Sequence, residues 1–124
     1  MRRTPPVLLA TLALTLSLSA CGAGDHAGSV VPGGDANRAP ELIDAYGCGS
    51  CHTIAGIDNA TAKVGPRLED LADRVYIAGH LPNTPETLIR WIMNPQAVEP
   101  GTVMPDMGVS RADARDIAAY LYDH

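Results

Sequence analysis

The chain has 124 residues and a formal net charge of −5, which suits one small domain and has the wrong sign for a nucleic-acid binder that must neutralise phosphates. One Trp, four Tyr and no Phe promise a thin core, and the three cysteines are taken up by motifs that need no disulfide. With an N-terminal export segment set aside, roughly 84 residues remain, near the lower limit for folding without a cofactor, metal or cross-link.

Arg2 and Arg3 precede an apolar run at residues 7–18, interrupted only by Thr11, Thr15 and Ser17. A basic start and a short apolar stretch have the layout of a secretory signal, and the run falls well below the roughly 20 residues that span a bilayer. It ends in Leu18-Ser19-Ala20-Cys21, which resembles the lipobox of bacterial lipoproteins. The resemblance implies removal of residues 1–20, a lipid on Cys21, and an exported protein anchored to a membrane on its periplasmic or extracytoplasmic side. The alternative is a soluble secreted protein with a free thiol at Cys21. Without Arg2 and Arg3 the charge moves from −5 to −7, which favours a basic partner surface or plain solubility.

Residues 22–40 hold five Gly and two Pro with no apolar period and read as a flexible tether from residue 21 to residue 40, with a typical span on the order of 25 Å. His26 lies in it as a solvated side chain. Residues 41–47 read as a short helix with Pro40 at its start, an acid in its first turn, and Leu42, Ala45 and Tyr46 on one face. Cys48-Gly49-Ser50-Cys51-His52 follows. C-x-x-C-H is the attachment signature of a c-type haem: two thiols spaced along one edge of a porphyrin, and a histidine beside the second thiol to ligate iron. A thioredoxin-like pair would want a strand before Cys48, and a zinc site would want a second Cys pair.

With this motif and the helix before it, the chain resembles the class I cytochromes c. The resemblance implies an all-α fold of three to five helices around one covalent haem, occupying residues 41–124. It also implies that the helix at residues 41–47 crosses the C-terminal helix and that Tyr46 packs between them. Residues 53–64 read as a loop passing under the haem edge, ended by Gly65-Pro66-Arg67-Leu68. In the family the proline carbonyl, here of Pro66, accepts a hydrogen bond from the second nitrogen of the haem histidine. Read without the resemblance, Pro66 serves equally as a loop-ending proline before a helix. That helix is expected at residues 69–77, with Leu68, Leu71, Ala72 and Val75 facing inward.

Residues 79–82 break it, and Thr84-Pro85-Glu86 starts another: a capping Thr, a Pro at the first helical position and an acid in the first turn. Leu88, Trp91 and Ile92 form its inward face, and Asn94-Pro95 stops it. The stretch from Leu81 through Thr84-Pro85-Glu86, Trp91-Ile92, Asn94-Pro95-Gln96 and Pro100-Gly101-Thr102 to Met104-Pro105 is similar to the cytochrome c domain fused to subunit II of some bacterial cytochrome c oxidases. That resemblance implies an indole N–H of Trp91 donated to a haem propionate, against the plainer reading of Trp91 as core. It also implies a thioether ligand from a loop methionine followed by Pro, about 50 residues after the C-x-x-C-H motif. Met93 in a helix, Met104 before Pro105 and Met107 before Gly108 compete, with His80 as a bis-histidine alternative; pattern and position favour Met104. Ser110-Arg111-Ala112-Asp113 is a capping signal for a last helix carrying Ala114, Ile117, Ala118 and Leu121 inward to Tyr122.

The reading is a single-electron carrier rather than an enzyme, with haem c and its iron bound by Cys48, Cys51, His52, Pro66, Trp91 and Met104, and with His52 and Met104 on the metal. Its partners are membrane-associated redox proteins, a terminal oxidase or, alternatively, a periplasmic dehydrogenase that owns it as a haem subunit. Rivals of other classes are an open-site haem enzyme or gas sensor, and a zinc domain using Cys48, Cys51, His52 and His80.

Overall fold

Helix α4 (Arg111–Asp123) is the element on which the others are laid. Ser110 caps it by accepting from the Asp113 amide at 3.2 Å, and returns its own hydroxyl to the Asp113 carboxylate at 2.7 Å. Ala114, Ile117, Ala118 and Leu121 are buried at the expected helical spacing. Asp116, Ala119, Tyr120 and Tyr122 are buried as well, so the helix is covered on nearly every side. This computed structural model describes residues 30–124. The export segment at residues 1–20, the lipidation expected at Cys21, His26 and the first part of the tether lie outside the described residues.

Helix α1 (Ala39–Ala45) crosses α4, with Ala39 and Ile43 fully sealed in the contact. Small side chains on both sides let the axes approach closely. The packed unit begins earlier than the sequence reading placed it. Val31 is 1% exposed, and a 3₁₀ turn at Ala36–Arg38 lies directly on α4. Gly34 is what allows this: a Cβ there would stand 2.7 Å from the Ala119 Cβ and 2.9 Å from the Arg115 carbonyl. Residues 31–40 are therefore part of the fold and not a tether, because the glycines that read as flexibility serve close approach.

Polar groups close the same crossing. The buried Asp116 carboxylate accepts from the Asp35 amide at 2.9 Å and from the Arg38 guanidinium. Asp113 accepts the Tyr46 hydroxyl at 2.8 Å and lies 3.6 Å from Arg38. A buried carboxylate is tolerated when it is so partnered and costly when it is not.

Helix α2 (Pro85–Met93) starts as expected, with Thr84 accepting from the Thr87 amide at 3.2 Å, and packs on α4 through Leu88, Ile89 and Ile92. Asn94 ends it and at once caps α3 (Pro95–Val98), accepting from the Ala97 amide at 2.9 Å.

The helix expected at residues 69–77 does not form. A 3₁₀ turn at Leu71–Asp73 is followed by β1 (Tyr76–Ile77), which pairs antiparallel with β2 (Leu81–Pro82) through Tyr76↔Pro82 and Ile77↔Leu81. Leu71 is buried, whereas Ala72 and Val75 face solvent. Side chains take the carbonyls that a helix would have used. Arg74 donates to the carbonyls of Arg67 at 2.7 Å and Glu69 at 2.8 Å, and the Asn83 amide donates to those of Leu71 at 2.7 Å and Arg74 at 2.8 Å. Asn83 in turn accepts the Tyr122 hydroxyl at 2.6 Å, which docks the hairpin on α4. No helix among the described residues is long and apolar enough to cross a membrane.

The Ser110 hydroxyl first, then the Tyr46 hydroxyl and the Arg38 charge, hold the Asp113 carboxyl below its ordinary range. A folded value below the unfolded one gives stability that is complete above the ordinary Asp value of about 3.9 and is lost as pH falls through the folded value. Urea midpoints of wild type and Asp113→Asn should therefore differ at neutral pH and converge in acid. Asp116→Ala, which strands Arg38 and the Asp35 amide, should cost about 2 kcal/mol in the same titration at pH 7.

Candidate cofactor site

The C-x-x-C-H segment is turned by local geometry. Gly47 ends α1 in the left-handed conformation at φ 71°, with open space around it. The chain then enters a 3₁₀ turn at Cys48–Ser50, closed by the amides of Cys51 at 3.2 Å and His52 at 3.0 Å on the Cys48 carbonyl. In 3₁₀ geometry positions i and i+3 align, so the turn brings the two cysteines to one side. Both are free thiols and half-buried. Burial pushes the Cys48 thiol above its ordinary range, and the neighbouring Cys51 acts in the same direction. Gly49 is demanded by its neighbour: a Cβ there would lie 2.9 Å from the Ala60 Cα.

The loop after the motif returns across it. The Ile54 amide donates to the Ala60 carbonyl at 3.0 Å, the Gly65 amide to Cys51 at 2.8 Å and the Leu68 amide to Thr53 at 2.9 Å. This places Gly65-Pro66 against His52. Nδ1 of His52 lies 2.7 Å from the Pro66 carbonyl oxygen. A carbonyl only accepts, so Nδ1 carries the proton and Nε2 presents its lone pair. The Gly65 backbone lies against the ring: a Cβ there would be 2.4 Å from Cε1 and 2.8 Å from Nδ1. The imidazole is thus fixed in tautomer and in plane before any metal is considered.

Cys48, Cys51, His52 and Pro66 are brought together. Trp91 and Met104 come from other elements and make no hydrogen bond to that group. Trp91 is half-buried against the core. Met104 is half-buried between Val103 and Pro105, which face solvent, Val103 at 93% exposure. Met93 packs against the core and Met107 is 43% exposed. His80 is 3.2 Å from Glu99. Among the described residues, no group of three or more His, Cys, Asp or Glu side chains could hold a metal ion, so Cys48, Cys51, His52 and His80 are not gathered as the zinc reading needs. A haem brings its own four nitrogens and needs from the chain what is present: two thiols on one side of a turn and one oriented imidazole. Sequence reasoning missed the packing roles of Gly49 and Gly65; a glycine inside the motif and one before the proline were the available signals.

A thin helical shell with that attachment segment on one wall defines a protein built for a covalently held haem. The chain belongs to the cytochrome c family, whose model matches residues 36–124, and this family binds haem c with its iron and carries electrons. Among its relatives, the cytochrome c oxidase subunit 2 of Alkalihalophilus pseudofirmus is 34% identical over 87 residues, 69% of this chain and 25% of that protein. That of Bacillus sp. (strain PS3) is 36% identical over 66 residues, 52% of this chain and 18% of that protein. Cytochrome c 2.1 of Caenorhabditis elegans is 29% identical over 106 residues, 75% of this chain and 92% of that protein. The match thus spans about a quarter or less of the oxidase subunits but nearly the whole of the nematode cytochrome.

Gly65→Ala should force the His52 ring or its loop aside, lowering the stability of the haem-bearing protein by about 2 kcal/mol and shifting its reduction potential. Pro66→Ala keeps the carbonyl and should do much less. Urea titration with potentiometry of both variants checks the pair.

Proposed function

We propose that the domain passes single electrons to or from a terminal oxidase at the outer face of a membrane, with His52 and Met104 as the axial ligands of its iron. The observation that carries this reading is the 2.7 Å contact between Nδ1 of His52 and the Pro66 carbonyl. It leaves Nε2 as the free donor beside two half-buried thiols and gives that donor added basicity. When bound, the haem supplies a one-electron ferric/ferrous couple.

The remaining residues act by holding and excluding. Cys48 and Cys51 fix the group to the chain, so that it survives repeated encounters with partners. Met104 supports the reading as the half-buried loop methionine, whereas Met93 packs against the core and Met107 is exposed. A soft thioether favours the ferrous state and, by closing the sixth position, keeps small ligands out. Trp91 has no acceptor for its indole N–H among the described residues, which leaves it free for a propionate. Val64 and Val103, 77% and 93% exposed, flank Gly65 and Met104 in the chain and offer a partner apolar contacts. The oxidase assignment rests on the two bacterial relatives that bear that name. Lipidation of Cys21 would hold the domain near such a complex, with residues 22–30 between the anchor and the fold.

The visible spectrum is the test. Split haem bands and a thioether-to-ferric charge-transfer band are expected, with little binding of carbon monoxide. Met104→Ala should lose the charge-transfer band, lower the reduction potential and admit carbon monoxide, while Met107→Ala changes none of these. If Met107→Ala loses the band and Met104→Ala keeps it, the ligand assignment is wrong. Cys48→Ala combined with Cys51→Ala should abolish haem that survives denaturation. For the anchor, Cys21→Ser should move the protein from the membrane to the soluble extracytoplasmic fraction; an unlipidated, soluble wild type would refute it.

A further inference from the structure

Gln96, on the exposed side of α3, sends its side-chain nitrogen to two carbonyl oxygens of the methionine loop, Thr102 at 2.6 Å and Met104 at 3.0 Å. Both acceptors are carbonyls, so only the NH2 end of the amide can face them and its orientation is fixed. Its two N–H groups thereby straddle Val103 and bind the backbone on either side of it. The loop has little else. The Thr102 amide donates to Glu99 at 3.1 Å, and the other hydrogen bonds are internal: Met104 amide to the Thr102 hydroxyl at 3.4 Å, and Gly108 amide to Asp106 at 2.8 Å. Gly101, at φ 89°, has nothing within 4 Å of where a Cβ would stand. Among the described residues, the Gln96 amide is the side-chain hydrogen bond that ties residues 100–108 to an element before them.

We infer that Gln96 is a positioning residue for Met104: its amide holds the loop backbone so that the thioether stays on the iron. This rests on the reading of Met104 as the sixth ligand. A methionine ligand competes with outside ligands only while its loop is closed, and the apparent affinity of a competitor rises with the fraction of time the loop is open. The hydrogen bonds of Gln96 exist in the closed loop and set that fraction. Being solvent-exposed, each is worth toward the lower end of the usual range, and losing both should raise the open fraction about five- to tenfold.

The test uses the full holoprotein and imidazole as the competing ligand, followed by loss of the thioether charge-transfer band. Gln96→Leu should lower the half-displacing imidazole concentration about five- to tenfold and speed hydrogen exchange at residues 101–104, leaving covalent haem content and the thermal melting of the helices as in wild type. Gln96→Glu keeps the size but offers an acceptor-only carboxylate to two carbonyls at pH 7, and should loosen the loop at least as much. A spacer that merely fills volume would let Gln96→Glu behave as wild type, and that result, or unchanged imidazole midpoints and loop exchange in both variants, would overturn the inference. Met104→Ala is measured alongside. If wild type lacks the band or Met104→Ala retains it, the ligand reading has failed and takes the inference with it, an outcome distinct from inert Gln96 variants on an intact band.

Discussion

Close approach to α4 is the constraint that shapes this domain. Among the described residues, the turn at Ala36–Arg38, α1, the turn at Leu71–Asp73 and α2 all pack on that helix. They fit around one cylinder because Ala114, Ala118 and Ala119 are small and because Gly34 has no side chain at all. A core with no Phe gains little from single large anchors, so its stability comes from short distances between backbones and from dispersion across them. The buried Asp116 belongs to the same crossing: its carboxylate binds a backbone amide and an arginine.

The site inherits its order from that frame. Helix α1 delivers Cys48 at a fixed height over α4, and Gly47 turns the chain so that the attachment segment faces away from the crossing. From there the geometry is set by backbone groups. The Cys51 carbonyl receives Gly65, the Pro66 carbonyl receives His52, and a missing Cβ at Gly65 leaves room for the imidazole. The carbonyls survive substitution of the side chains that flank them, whereas the gap at Gly65 tolerates no Cβ. The histidine is oriented by these backbone groups alone, with its Nε2 lone pair left unengaged by Pro66.

The sequence was most legible where one residue type has one physical use. The C-x-x-C-H segment, the caps at Thr84 and Ser110, the Asn94-Pro95 stop and the inward stripe of the last helix all appear in the fold where their chemistry put them. Pro66 needed the family resemblance, since a proline whose own carbonyl accepts a hydrogen bond and a proline that merely ends a loop read identically. Two regions misled. Apolar spacing at Leu68, Leu71 and Val75 imitates a helix, but Arg74 and Asn83 capture the carbonyls that a helix would bond, and such capture across 5 to 12 residues has no local signature. Glycines at 33 and 34 read as slack, although one of them is there to be touched. The clamp by Gln96 was equally hidden, because an exposed glutamine on a four-residue helix carries no periodic or compositional mark.

The clasp at Asp116 joins positions 81 and 78 residues apart, which ties the first turn of the folded unit to its last helix. Loop closure over such a separation is expensive in entropy and comes late in folding, after local turns have formed. The attachment segment, by contrast, closes through bonds that span three to fourteen positions in the chain. A chain emerging from its N-terminus can therefore shape the cysteine turn and its histidine while α4 is still absent. The last helix is the closing stave of a fold whose attachment segment needs none of its hydrogen bonds.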